Sequence, residues 1–161
     1  MAAIMRYRLI PTRSEDEAWL EKLRRAAYRD LFVATWGGWD EDRHQRHFAA
    51  CLECGEICAI EIDDARVGMV QLFEHTDAIE IGEIQIEPEY QGRGIGTQVL
   101  RDTLAQAHAQ RKKVILRTGL KNIRAIELYR RLGFERVIQT ETHEHMECKP
   151  KPDGTEIDQV T

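Results

Sequence analysis

The spacing of apolar and polar residues along this chain changes period several times, and each change marks an element. Met5, Tyr7 and Leu9 alternate with Arg6 and Arg8, the period of two of a half-buried strand. Pro11 ends it, and Ser14 with Glu17 has capping-box spacing, predicting a helix from there toward Tyr28 and Leu31. "ATWGGWDED" breaks the helical period, and Asp40 is placed to cap a second helix through Phe48. "ICAIEID" and "RVGMVQLFE" alternate on either side of Asp63 and Asp64, as the arms of a hairpin do.

The next strand of that meander, "AIEIGEIQIEP", carries a phase fault. Ile79 and Ile81 fall on odd positions and Ile84 and Ile86 on even ones, so one face holds all four only if an extra residue is absorbed near Gly82. That predicts a β-bulge, with Glu80, Glu83 and Gln85 sharing the opposite, polar face. After a glycine-rich turn comes a helix with Ile95, Val99, Leu100, Leu104 and Ala107 on one side, then a short apolar strand, "VILRT". Asn122 is placed to cap a further helix closed by Gly133, and "FERVIQT" and "ETHEHMEC" supply two more strands. The period is lost from Lys149 on, so residues 149–161 are expected to form a loose tail behind a single domain over residues 1–148.

Composition narrows the classes. The 161 residues suit one domain with a sizeable core. Apolar runs are far shorter than a spanning helix needs and no signal-like segment opens the chain, so a soluble cytoplasmic protein without a membrane partner is expected. The net charge of −5 argues against nucleic acid, but it hides a segregation: residues 91–131 carry 10 basic and 2 acidic side chains, while residues 1–90 carry 10 and 19. A basic segment that begins at a glycine loop suits an anionic ligand, and the acidic remainder suits a cationic second substrate. Cys51, Cys54, Cys58 and Cys148 lack zinc-finger partners at the right spacing, and His143, His145 and Cys148 make an incomplete ligand set. Reduced, packed thiols and no metal are expected.

The loop itself reads "YQGRGIGTQ". A strand, a glycine turn and a helix N-terminus present unpartnered amides and the positive end of a helix dipole, which favours phosphate. A dinucleotide loop needs a third glycine where Thr97 stands, and a nucleoside triphosphatase loop needs a Gly-Lys-Ser/Thr that is absent.

The order of meander, bulged acidic strand, "QGRGIG" loop, helix, strand and "NIRAIELYRRLGF" resembles the GNAT superfamily of N-acetyltransferases, clearly over residues 57–139. The resemblance implies a mixed α/β fold: a mostly antiparallel sheet of six to seven strands, splayed between its fourth and fifth, with about four helices. It implies that Gln91, Gly92, Arg93, Gly94, Ile95, Gly96 and Thr97 hold the pyrophosphate of acetyl-CoA, and that the backbone of Ile84, Gln85 and Ile86 pairs with its pantetheine arm. It further implies CoA contacts from Asn122, Ala125 and Tyr129, with Tyr129 protonating the departing thiolate and Glu80, or else Glu83, serving as general base. On residue chemistry alone, Tyr129 could be a core aromatic, Asn122 only a cap, and either glutamate a surface carboxylate. Phe32, Trp36 and Trp39, with Tyr28, form an aromatic group flanked by Asp40, Glu41 and Asp42, which suits a small cationic amine acceptor. The expected activity is acetyl transfer to a primary amine by direct attack. A protein acceptor and a non-catalytic CoA-binding module are the alternatives, and a homodimer is a common state for such small enzymes.

Overall fold

The computed structural model describes residues 6–152. Strand β1 (Arg8–Pro11) leads through a 3-10 turn at Ser14–Asp16 into α1 (Glu17–Trp36) and α2 (Glu41–Cys54). The meander β2 (Cys58–Ile62), β3 (Ala65–Glu74) and β4 (Ala78–Ile86) follows, then α3 (Ile95–Ala109), β5 (Lys113–Gly119), α4 (Ile123–Arg131), β6 (Glu135–Gln139) and β7 (His143–Cys148). The seven strands form one sheet in the order β1-β2-β3-β4-β5-β7-β6, antiparallel except for the parallel β4–β5 pair. The mixed architecture foreseen from the sequence is present. Among the described residues no helix is long and apolar enough to cross a membrane.

Two layers of helix cover the sheet. Leu20 and Leu23 of α1 and Phe48 and Cys51 of α2 pack with Met69 on one face. On the other, Leu100, Leu104 and Ala107 of α3 and Tyr129 of α4 pack with Ile79, Ile81, Val114 and Met146. The apolar stripe expected on α3 is the buried one.

Helix α1 departs from expectation at both ends. Its first turn is 3-10, with the Arg13 amide bonded to Asp16 at 2.8 Å, so the Ser14–Glu17 capping box does not form; the helix continues to Trp36 and stops at Gly37, which is left-handed at φ 80°. Asp40 caps α2 as foreseen, accepting from the Arg43 amide at 3.0 Å. Asp63 and Asp64, both at positive φ, make the hairpin turn. The early strand starts at Arg8, and Met5 and most of the expected tail (153–161) lie outside the described residues.

The bulge is where the phase fault put it. Gln71 pairs with Glu83 and Leu72 with Ile81, so Gly82 has no cross-strand partner. All four isoleucines consequently pack toward α3, and Gln85 and Glu83 turn to the side of α1. The parallel pairing of β4 with β5 ends at the same place, at Ile81 opposite Leu116. Beyond it the two strands part.

Candidate active site

The gap between the parted strands opens into a cleft of about 490 Å3 walled by β4, the end of β5, α1 and α4. From Gly82 to Ile86, β4 keeps β3 on one edge while its edge toward β5 makes no ladder bonds. Ile84 and Ile86 pack inward against Ile95 and Val99, which fixes the direction of that free backbone.

Past β4, Pro88–Tyr90 form a 3-10 turn, and Gly92 and Gly94 adopt φ of 76° and 82°. Side chains with a Cβ rarely take this conformation, so the turn requires glycine at both. Gly94 is the N-cap of α3 and supplies no side-chain cap; the first helical bond runs from the Gln98 amide to the Gly94 carbonyl at 3.0 Å. The amides of Ile95, Gly96 and Thr97 precede that bond, and helix geometry leaves them no acceptor within the helix. Gln91 ties the loop down by donating to the Ile86 carbonyl at 3.0 Å, and Arg93 lies over the Tyr90 ring and donates to the Glu89 carbonyl. The result is a rigid cradle of donors with a cation beside it.

The two candidate carboxylates are in different settings. Glu83 lines the cleft and accepts from Arg24 Nη2 at 2.8 Å, Tyr28 Oη at 2.5 Å and Gln85 Nε2 at 2.6 Å. A carboxylate has about four lone-pair positions, so one remains for an incoming donor. Glu80 is outside the cleft lining and pairs with His75 at 2.9 Å. Burial works against the Arg24 charge, but the Glu83 carboxylate outweighs it and keeps the guanidinium protonated. Burial and the same carboxylate hold the Tyr28 phenol neutral far into the alkaline range.

Across the cleft, Tyr129 packs edge-on against Phe134 at 5.7 Å between ring centres. Burial, and then the Glu83 charge, push its pKa up to about 12. Asn122 occupies the cap position of α4 but its side chain makes no cap bond, contrary to the sequence expectation, and its side-chain amide lines the cleft with no hydrogen bond among the described residues. Ala125, half-buried one turn later, packs against the core beneath Tyr129.

Phe32 and Trp36 line the cleft with ring centres 4.7 Å apart. Trp39 stands behind them, 5.2 Å from Phe32, and is outside the lining. Two of the acids expected beside this wall are engaged elsewhere: Asp40 caps α2, and Glu41 takes Arg25, Trp39 Nε1 and Gln45; Asp42 is exposed and outside the cleft lining. Ligand atoms of Glu21, Glu41 and His44 come within 4.8 Å of one another, and Arg25, bonded to both carboxylates, already supplies the cation there.

Arg24, His47 and Arg117 line the cleft and were not singled out from the sequence. Arg24 and Tyr28 are four apart on one helix, a spacing that puts both on the face meeting Glu83. Arg117 falls between Leu116 and Thr118, which face the core, so the alternation already turned it to the other side.

Comparison with known proteins gives this geometry a family. N-alpha-acetyltransferase RimI of Mycobacterium tuberculosis is 40% identical over 73 residues, 45% of this chain and 42% of that protein. Spermidine N(1)-acetyltransferase of Escherichia coli is 33% identical over 79 residues, 47% of this chain and 42% of its own. The chain thus spans less than half the length of the curated relatives it matches. The crystal structure of PaiA N-acetyltransferase from Thermoplasma acidophilum in complex with coenzyme A superposes with a TM-score of 0.67 at 16% identity, over 90% of this chain and 99% of that one. The family model described as "Acetyltransferase (GNAT) family" matches residues 18–134, and the chain belongs to that family.

Proposed function

We propose that this protein transfers acetyl from acetyl-CoA to the primary amine of a small-molecule acceptor by direct attack. The observation that carries this reading is the divergence of β4 and β5 at Ile81 and Leu116, with a donor-rich glycine loop at one end of the gap and Glu83 and Tyr129 on its two walls. The residues present fit acetyl-CoA. The amides of Ile95, Gly96 and Thr97 and the charge of Arg93 would hold its pyrophosphate, the free edge of Ile84 to Ile86 would pair with its amide-bearing arm, and the uncapped Asn122 amide would contact it from α4. When bound, it supplies an acetyl group activated as a thioester.

The chain's own residues then have separable tasks. The acceptor arrives as an ammonium and must lose a proton, which the remaining lone-pair position of Glu83 can take directly or through water. Glu80, held by His75 outside the cleft lining, is the weaker candidate. Tyr129, protonated throughout the neutral range, offers its hydroxyl hydrogen to the sulfur as negative charge develops there. Phe32 and Trp36 offer an apolar surface at the acceptor end. A cleft of about 490 Å3 is in the range that encloses small molecules, which supports a small acceptor over a protein chain.

The test has two parts. Acetyl-CoA should raise the melting temperature of the purified protein, and an amine panel should elicit thiol release. Gly94→Glu, which forces a side chain into left-handed backbone and sets a negative charge against the cradle, should abolish the thermal shift. Unchanged acetyl-CoA binding by that variant would refute the reading at its core.

A further inference from the structure

The charges around the acceptor end of the cleft do not suit a polycation. Glu83 is the one carboxylate lining it among the described residues, and Arg24 neutralises it. Arg117 is the surplus. It faces the α1 side of the sheet, opposite His145 in register and two residues before Gly119, which pairs with His143. No ion pair or hydrogen bond engages its guanidinium among the described residues. Buried Arg24 adds two more unused donors, Nε and Nη1, while the unused buried acceptor is the Gln85 carbonyl, Oε1, a neutral group fit for an ammonium. On the α2 side stand His47, which lines the cleft, and Arg43, whose guanidinium lies 4.4 Å over the Trp36 ring. Burial and the neighbouring arginines keep His47 and His143 neutral near pH 7, so they add donors or acceptors without adding charge.

Resting on the acetyltransferase reading above, we infer that the acceptor is a small amino carboxylate whose carboxylate is received by Arg117, while its amine points to Glu83 and its apolar portion lies on Phe32 and Trp36. A polyamine would set its second cation against Arg117 with no carboxylate free to receive it, whereas a carboxylate meets the two-pronged geometry that guanidinium binds best. The reaction is unchanged. The ammonium first gives one proton to Glu83; its nitrogen then bonds to the acetyl carbon, the carbon–sulfur bond breaks, and the second proton lost by the nitrogen balances the one the thiolate takes up.

The deciding experiment compares matched acceptors with the full chain: leucine and phenylalanine, their amides, β- and γ-amino carboxylates, spermidine, and a short peptide. Acetyl-CoA binding is followed in parallel by thermal shift. The expected result is a higher kcat/KM for an amino carboxylate than for its amide and negligible use of spermidine. Arg117→Gln should shrink the preference for carboxylate over amide by roughly 10- to 100-fold, the worth of a charged hydrogen-bonded pair, chiefly through KM. Arg117→Lys should restore part of it. Arg117 is exposed, so these variants are expected to fold. The inference is overturned if spermidine, the amides or the peptide are used as well as the carboxylates, or if Arg117→Gln leaves the preference intact. Loss of acetyl-CoA binding in the native protein would instead remove the acetyltransferase reading together with it.

Discussion

Tyr129 and Glu83 show how one residue's surroundings set its chemistry. With a pKa of about 12, the Tyr129 phenol is a hydrogen-bond donor at any working pH, and full proton transfer from it runs uphill. Removing the hydroxyl with Tyr129→Phe should lower kcat about 100-fold at nearly constant KM for acetyl-CoA, the size expected for a lost acid or donor. The kcat profile of the native enzyme should show no Tyr129 limb below about pH 11. In the proposed reaction Glu83 does two jobs, since it also neutralises a guanidinium that is 4% exposed. Glu83→Gln is therefore expected to abolish most turnover and also to cost stability of about 3–5 kcal/mol, as leaving a buried ion unpaired does. Glu80→Gln, at a half-exposed pair, should change neither by much. Steady-state kinetics and melts on both variants separate these outcomes, and an inactive Glu80→Gln beside a working Glu83→Gln would reverse the assignment.

At the scale of elements, the bulge in β4 is the feature from which the site follows. One unpaired residue at Gly82 lets Ile79, Ile81, Ile84 and Ile86 share a face, and it coincides with the end of β5 pairing. The pairing of β3 with β4 on the other edge must then hold alone. Gly68 sustains it: a Cβ there would sit 2.3 Å from the Gln85 carbonyl oxygen, so the two backbones approach as closely as glycine permits. Gly68→Ala should destabilise by about 1–3 kcal/mol, the usual cost of an overpacked core site. That corresponds to a fall in Tm of roughly 2–12 °C for a chain this size. Because the displaced strand carries Glu83 and Gln85, acetyl-CoA affinity should fall with it, and a Tm loss with unaltered affinity would contradict the coupling. Helix α1 shows a local signal overridden: a 3-10 turn held by Asp16 replaced the Ser14–Glu17 box, and contacts with α2 and β4 carried the helix on to Trp36.

For the molecule as a whole, several protons are bound more tightly in the folded state than in the unfolded chain. Burial raises the Cys51 thiol to about 11 and, with neighbouring carboxylates, raises Tyr129 to about 12 and Tyr7 and Tyr28 further. The sign follows from linkage. Above the unfolded values, near 9 for Cys51 and 10 for the tyrosines, the unfolded chain loses protons that the folded chain keeps. Stability should be level from about pH 7 to about pH 9 and fall steadily from there to about pH 12; below about pH 7 the histidines held neutral by burial begin to oppose folding. Urea midpoints across that window check this, and a flat profile to pH 11 would count against it. In the same molecule, exposed Cys54 should react with an alkylating reagent at neutral pH before buried Cys51 does.

Periodicity, turn chemistry and the loop motif are local properties, and for that reason the sequence alone established the meander, the bulge at Gly82, the α3 stripe, the hairpin at Asp63 and Asp64, and the glycine turn at Gly92 and Gly94. It also brought Asn122 and Tyr129, seven residues apart, onto one helix face. What it could not decide depends on which distant groups meet. Glu80 and Glu83 share a strand face, and the family resemblance put Glu80 first as base with Glu83 second; Arg24 and Tyr28, more than fifty residues earlier, bond Glu83 at the cleft wall, while His75 pairs with Glu80 outside the lining. Asp40, Glu41 and Asp42 pointed to a cationic acceptor, but the α2 cap and Arg25 engage the first two, Asp42 stands outside the cleft lining, and Arg117 lines the cleft with no ion pair among the described residues. Side-chain identity is written in the chain, but net charge at a site is a sum over partners, and only tertiary packing chooses the partners.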